Sequence, residues 1–82
     1  MTHDKIWEVL RRHVLDVLDD VRESEIHPGR NLRDLGANSL DRMDIVVGAV
    51  NELRLDVPTA ALAAAPTLGE LTDLLHAHRE QP

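Results

Sequence analysis

Apolar positions recur with a helical period through most of this chain. Between Asp4 and Asp20, Ile6, Leu10, Val14, Val17 and Leu18 return at intervals of one, three or four, with Glu8, Arg11, Arg12 and Asp16 among them. That is the single buried stripe of an amphipathic helix, and Thr2 or Asp4 is placed to cap it. From Val21 to Asn38 the period fails and Pro28-Gly29 marks a turn. Ile26, Leu32 and Leu35 are spaced anchors for this long connection, and a helical turn over Asn31 to Leu35, stopped by Gly36, would shorten its unstructured length. A second stripe follows at Leu40, Met43, Val46, Val47, Val50 and Leu53, with Asn38 or Ser39 as its cap and Pro58 as its stop. Thr59 to Ala65 predicts one or two helical turns closed by Pro66. Thr67-Leu-Gly-Glu70 reads as a capping box opening a last helix buried through Leu68, Leu71, Leu74 and Leu75, and the residues from His76 to Pro82 read as a fraying polar tail.

The predicted fold is therefore all-α: a four-helix bundle with a short third helix and a long loop between the first two, as one domain over residues 1–82. Composition supports it. Trp7 is the only aromatic residue and there are no cysteines, so the core must be Leu, Val, Ile and Ala without staples. Local helical contacts suit so small an aliphatic chain better than a sheet does.

Charge and composition narrow the function classes. Fifteen acidic residues against nine basic ones give a net charge of -6, which disfavours nucleic acid and favours a basic protein surface as partner. The longest apolar run, Ala60 to Ala65, has six residues, where a membrane crossing needs about 20. No basic-then-apolar leader opens the chain, and the lack of cysteine fits a cytoplasmic location. The apolar stripes match what one bundle buries, which predicts a monomer.

Catalytic and metal chemistry find little support. Ser39 lacks a Gly-x-Ser-x-Gly elbow. His3, His13, His27, His76 and His78 fall near the termini, in the loop or on polar faces, and read as solvated surface residues. His76 and His78, two apart, point to nearly opposite sides of a helix, so no metal site is expected. Ser39 is more informative as an acceptor. At a helix start it lies beside unsatisfied N–H groups and the positive end of the dipole, a setting that suits a phosphodiester. A serine there is equally an ordinary helix cap.

Its neighbourhood decides between them. Leu35-Gly36-Ala37-Asn38-Ser39-Leu40, followed by an acidic amphipathic helix, resembles the Leu-Gly-x-Asp-Ser-Leu signature of the acyl carrier proteins. The resemblance spans the chain and includes the long first loop, the Val57-Pro58 pair, the short third helix and the Leu-rich last one. It implies that Ser39 carries 4′-phosphopantetheine, installed from coenzyme A by a magnesium-dependent phosphopantetheinyl transferase, and that the protein is not an enzyme but a carrier of thioester-bound acyl units. The thiol must be imported, because the chain has none of its own. The resemblance also makes the second helix the docking surface for partner enzymes, through Asn38, Leu40, Asp41, Arg42, Met43 and Asp44. Exposed acids there would give fast, salt-sensitive, transient binding, although first-turn acids also stabilise a helix N-terminus.

Two departures refine the resemblance. Asn38 stands where an Asp is usual, and Val50-Asn51 interrupts the acidity of the second helix. Gly36-Ala37-Asn38-Ser39-Leu40-Asp41-Arg42 is similar to the Gly-Ala-Asn-Ser-Ile-Asp-Arg stretch of freestanding carriers in bacterial polyketide clusters, such as those of antibiotic biosynthesis. Such a carrier receives its unit from an acyltransferase and a decarboxylating ketosynthase. It then delivers an acetyl unit to an HMG-CoA-synthase-like enzyme to form a β-branch. On this resemblance Arg42 marks partner choice, or is an exposed helix residue with no task. The alanines of the third helix line the family's acyl groove, or simply make a good short helix. An aminoacyl, peptidyl or fatty-acyl carrier, and an unmodified acidic interaction module, remain as alternatives.

Overall fold

The computed structural model of the chain describes residues 2–80. Among them are four α-helices and no strand: α1 His3–Val17, α2 Ser39–Leu53, α3 Thr59–Ala63 and α4 Leu68–Glu80, with a single 3-10 turn at Glu23–Glu25 in the first loop. α1 packs against both α2 and α4. The core is aliphatic as expected, with Ile6, Leu10, Val14, Ile45, Leu68, Leu71 and Leu75 buried and Trp7 only packed against its edge.

Each helix boundary has a local cause. Thr2 caps α1, its Oγ1 accepting from the Lys5 N–H at 3.2 Å. α1 stops at Val17 rather than Asp20, with Leu18 already extended. Asp19 and Asp20 would have placed two more negative charges at the negative pole of the helix. α2 ends at Leu53, before Pro58 is reached, because Arg54 turns left-handed at φ 57° and the Leu55 N–H closes onto the Val50 carbonyl at 3.0 Å. α3 is shorter than the alanine run: Ala64 and Ala65 bond back three residues instead of four. α4 continues through residues expected to fray, as far as Glu80, while Gln81 and Pro82 lie outside the described residues. His78 and Arg79 complement its negative end, and His76 stacks on His3, ring centroids 3.8 Å apart, while His3 Nε2 meets Asp73 at 3.1 Å.

The long loop is held at several points. Ile26, Leu32 and Leu35 are buried, as their spacing predicts. The turn over Leu32 to Gly36 forms, opened by the Asn31 side chain accepting from the Asp34 N–H at 2.7 Å and closed by Gly36 at φ 94°. That backbone region strongly favours glycine. The carbonyls of Pro28 and Arg30 accept from the N–H groups of Gly69 and Leu68, each at 2.9 Å. The loop thus supplies the acceptors for the start of α4, beside Thr67, whose Oγ1 accepts from the Glu70 N–H at 3.1 Å. The 3-10 turn, absent from the sequence-based expectation, is tied to α1 by an Arg11–Glu23 ion pair.

His13 is not a solvated surface histidine. It is half-buried where α1 meets α2, its Nε2 2.9 Å from Glu52, and its ring occupies the space a side chain at Gly48 would need, a Cβ there lying 2.8 Å from Nδ1. Arg12 pairs with the same carboxylate. Those two partners, Arg12 first, hold Glu52 below the usual carboxylate range, and Arg11 does the same for Glu8. A carboxyl with a depressed folded pKa adds stability above its unfolded value and loses it as pH falls through its folded one. Glu52→Gln is therefore expected to flatten the acid limb of the stability-versus-pH curve measured by urea unfolding. An unchanged acid limb would show that this bridge contributes nothing in solution.

Candidate functional site

Ser39 is the first residue of α2 and is exposed. It does not act as the cap. Asn38 does: its Oδ1 accepts from the Asp41 N–H at 2.8 Å, while Asp41 Oδ2 accepts from the Asn38 N–H at 3.3 Å. This reciprocal box fixes the entry angle of the chain and leaves the Ser39 hydroxyl unburdened. It also explains how asparagine serves where the carrier signature has aspartate, since either side chain offers the oxygen that a cap requires. The N–H groups of a first turn have no intrahelical partners. The box takes those of Asn38 and Asp41.

Two clefts open beside the hydroxyl. One, about 390 Å³, is walled by Arg33, Ala37, Asn38, Ser39 and Arg42. The other, about 170 Å³, runs between α2 and α3 under Met43, Val46, Leu62 and Ala63 and is again bounded by Ser39 and Arg42. An anion esterified to Ser39 would thus sit at the positive end of α2 with guanidinium groups in the wall of its cleft, beside an apolar groove. A phosphodiester with a long flexible extension fits that donor set.

The expected docking residues divide once placed. Asn38, Leu40, Met43 and Asp44 are exposed; Asp41 is half-buried and committed to the cap. Leu40, Met43 and Val47 are 75%, 39% and 39% exposed, so they do not belong to the core stripe their spacing suggested. Ile45 and Ala49 take the buried places instead. α2 is apolar on two faces, and a periodic count cannot separate the face that meets α1 from the one that meets solvent. Val47 extends the exposed patch and was missed as a surface residue; its signal was its spacing of four from Met43 and seven from Leu40. Arg42 is neither fully exposed nor idle. It is half-buried, and its Nη2 donates toward the carbonyls of Leu62, Ala63 and Ala65 at 3.2, 3.4 and 3.2 Å. Ala37 joins the site from within the signature, and Leu62 and Ala63 join it from the third helix that the resemblance placed beside the acyl groove; Arg33 joins from the loop, where no local pattern in the chain announces it.

Among the described residues no three His, Cys, Asp or Glu side chains are grouped to hold a metal ion, and no helix is long and apolar enough to cross a membrane.

Comparison with known proteins matches residues 8–75 to the phosphopantetheine attachment site family. The chain is 32% identical over 76 residues to the polyketide biosynthesis acyl-carrier-protein AcpK of Bacillus subtilis (strain 168), covering 93% of each. It is 30% identical over 81 residues to an acyl carrier protein of Cyanidioschyzon merolae (strain NIES-3377 / 10D), covering 98% of this chain and 88% of that one. In three dimensions it superposes with a TM-score of 0.85 and 27% identity on a chain from the crystal structure of the curacin biosynthetic pathway HMG synthase in complex with acetyl donor-ACP, covering 94% of this chain and 99% of that one.

Proposed function

The chain belongs to the phosphopantetheine attachment site family and is an acyl carrier protein whose cofactor is covalent 4′-phosphopantetheine, and from that membership we propose that Ser39 is the attachment point and that the carrier serves polyketide synthesis as an acetyl donor for β-branching. The observation that carries the attachment is the exposed Ser39 hydroxyl at the start of α2, left free by the Asn38–Asp41 cap and opening onto two clefts. The donor role is supported by the Gly36-to-Arg42 stretch and by the likeness to a chain from a complex of an HMG synthase with an acetyl donor carrier.

The family consists of carriers rather than catalysts, so this chain's side chains hold and present. When bound, the cofactor supplies a thiol on a flexible arm, on which an acyl unit is carried as a thioester and brought to each partner at high effective concentration. Asn38 and Asp41 fix the backbone that bears the hydroxyl. Leu40, Met43 and Val47 form a small apolar face, with Asp44 exposed on the same helix. Such a mixed surface favours a basic-rimmed partner with an apolar centre, steered by charge and released quickly. A transferase, an acyltransferase, a decarboxylating ketosynthase and an HMG-CoA-synthase-like enzyme are the partners this role requires.

The test has two stages. Incubation with coenzyme A, magnesium and a promiscuous transferase is expected to add one phosphopantetheine per chain, mapped by fragmentation to the peptide containing Ser39. The acetyl-loaded form is then expected to transfer its acetyl group to an HMG-CoA-synthase-like enzyme faster than a fatty-acid carrier does. Equal or slower transfer would remove the β-branching role and leave a carrier of another cargo.

A further inference from the structure

Arg42 lines three cavities. It bounds the cleft at the mouth of Ser39, about 390 Å³, and the groove between α2 and α3, about 170 Å³. It also bounds a third pocket, of about 220 Å³, lined by Asn31, Leu32, Arg33, Ala65, Pro66 and Leu71. Its guanidinium ends on the carbonyls of Leu62, Ala63 and Ala65, where α3 gives out and the negative end of the helix favours a cationic donor. α3 has five residues and no side-chain cap at its start, too short a helix to hold its position by its own hydrogen bonds. Its attachment to α2 therefore depends on this arginine, and on burial of Leu62 and Ala65.

Resting on the reading that Ser39 bears the arm, we infer that Arg42 sets the length of acyl chain this protein can shelter. It pins α3 against α2 and stands between the groove beside Ser39 and the pocket at Leu32, Ala65 and Leu71. The groove left open is close to the size of an engineered cavity of roughly 150 Å³ that takes a benzene ring. An acetyl group or another short unit fits there; a longer chain meets the guanidinium and stays in solvent. A charged group across the path is a strong barrier to hydrocarbon, because the guanidinium would have to give up its carbonyl partners with no polar replacement. The consequence is specificity: a carrier that cannot hide a long chain presents short cargo and leaves long thioesters open to hydrolysis.

The experiment compares wild type with Arg42→Ala, each loaded with acetyl- and with octanoyl-phosphopantetheine, and follows thioester cleavage by hydroxylamine. In wild type the octanoyl thioester is expected to be cleaved no more slowly than the acetyl one. In Arg42→Ala the octanoyl thioester is expected to be about tenfold slower than the acetyl one, a factor that two further buried methylenes supply. Octanoyl protection already present in wild type, or absent from a folded Arg42→Ala protein, overturns the inference. Should Arg42→Ala lose its helical circular dichroism, Arg42→Met takes its place with the same expectations, since it keeps much of the stem and drops the donors. Amide exchange on the unloaded proteins gives an independent readout. The Ala64 and Ala65 amides are expected to exchange about tenfold faster in Arg42→Met than in wild type while Leu71 and Leu75 hold; unchanged exchange at Ala64 and Ala65 overturns the pinning role. If no variant accepts the arm, the attachment reading fails instead, and exchange still decides the role of Arg42.

Discussion

Ser39→Ala is expected to abolish phosphopantetheinylation outright, giving no mass gain after incubation with coenzyme A and transferase, while leaving the fold intact. The loss is complete because the chain contains no cysteine and only an oxygen in the right place can be esterified. Ser24 is the other serine. It lies in the 3-10 turn of the first loop, exposed but away from the start of α2. The fold should survive because the cap belongs to Asn38, whose bond to Asp41 does not involve the Ser39 side chain. Alanine is also a better helix former than serine at the first turn, so the urea midpoint should move by no more than about 0.5 kcal/mol in equivalent stability. Retention of a full phosphopantetheine on Ser39→Ala would move the attachment elsewhere and dissolve the functional assignment.

The largest stability loss is expected at Leu10. It is 0% exposed on the helix that packs against both α2 and α4, so truncation leaves a cavity where the bundle can least collapse around it. Leu10→Ala should cost about 2–5 kcal/mol, transfer and cavity contributions together. A domain of 82 residues has roughly 4–12 kcal/mol in total at ordinary per-residue stabilities. The variant is therefore expected to lie near or beyond its unfolding threshold at physiological temperature, with the urea transition shifted far toward zero denaturant. A loss below about 1 kcal/mol would mean that the packing around Leu10 is looser than its burial indicates.

These two positions also mark what was legible before any coordinates. Leu10 falls on a stripe that only a helix satisfies, and it is buried. α1 carries charges on its other face, so a periodic count finds one face there, although it passes over buried Val9 and takes in half-buried Val17. α2 offers two. Leu40, Met43 and Val47 obey the same spacing as Val46, Val50 and Leu53, yet they lie in solvent, because Ile45 and Ala49 complete the face that meets the rest of the bundle. Hydrophobicity states that a residue gains from burial; it does not state that a partner is present. The exposed apolar patch was thus half visible, named at Leu40 and Met43 through the family resemblance and missed at Val47.

Arg42 and His13 were read least well, and for a common reason. Each makes its contacts with residues far along the chain: Arg42 with carbonyls of α3, His13 with Glu52 and the open space at Gly48. Backbone acceptors are anonymous in a sequence, since every residue has one. A glycine in the middle of a helix signals a close neighbour without naming it.

The chain by itself determined that there would be four helices with a short third, where three of them begin, and that the core would be aliphatic. All of these follow from local rules, namely the period of apolar residues, the chemistry of caps and the restrictions of proline and glycine, which act over three or four residues. The tertiary structure alone decided which face of α2 meets solvent, how far each helix runs, and that Arg42 reaches across to the carbonyls of Leu62, Ala63 and Ala65. Those outcomes depend on which distant surfaces come together, and packing of that kind is settled only when the whole chain competes for the same core.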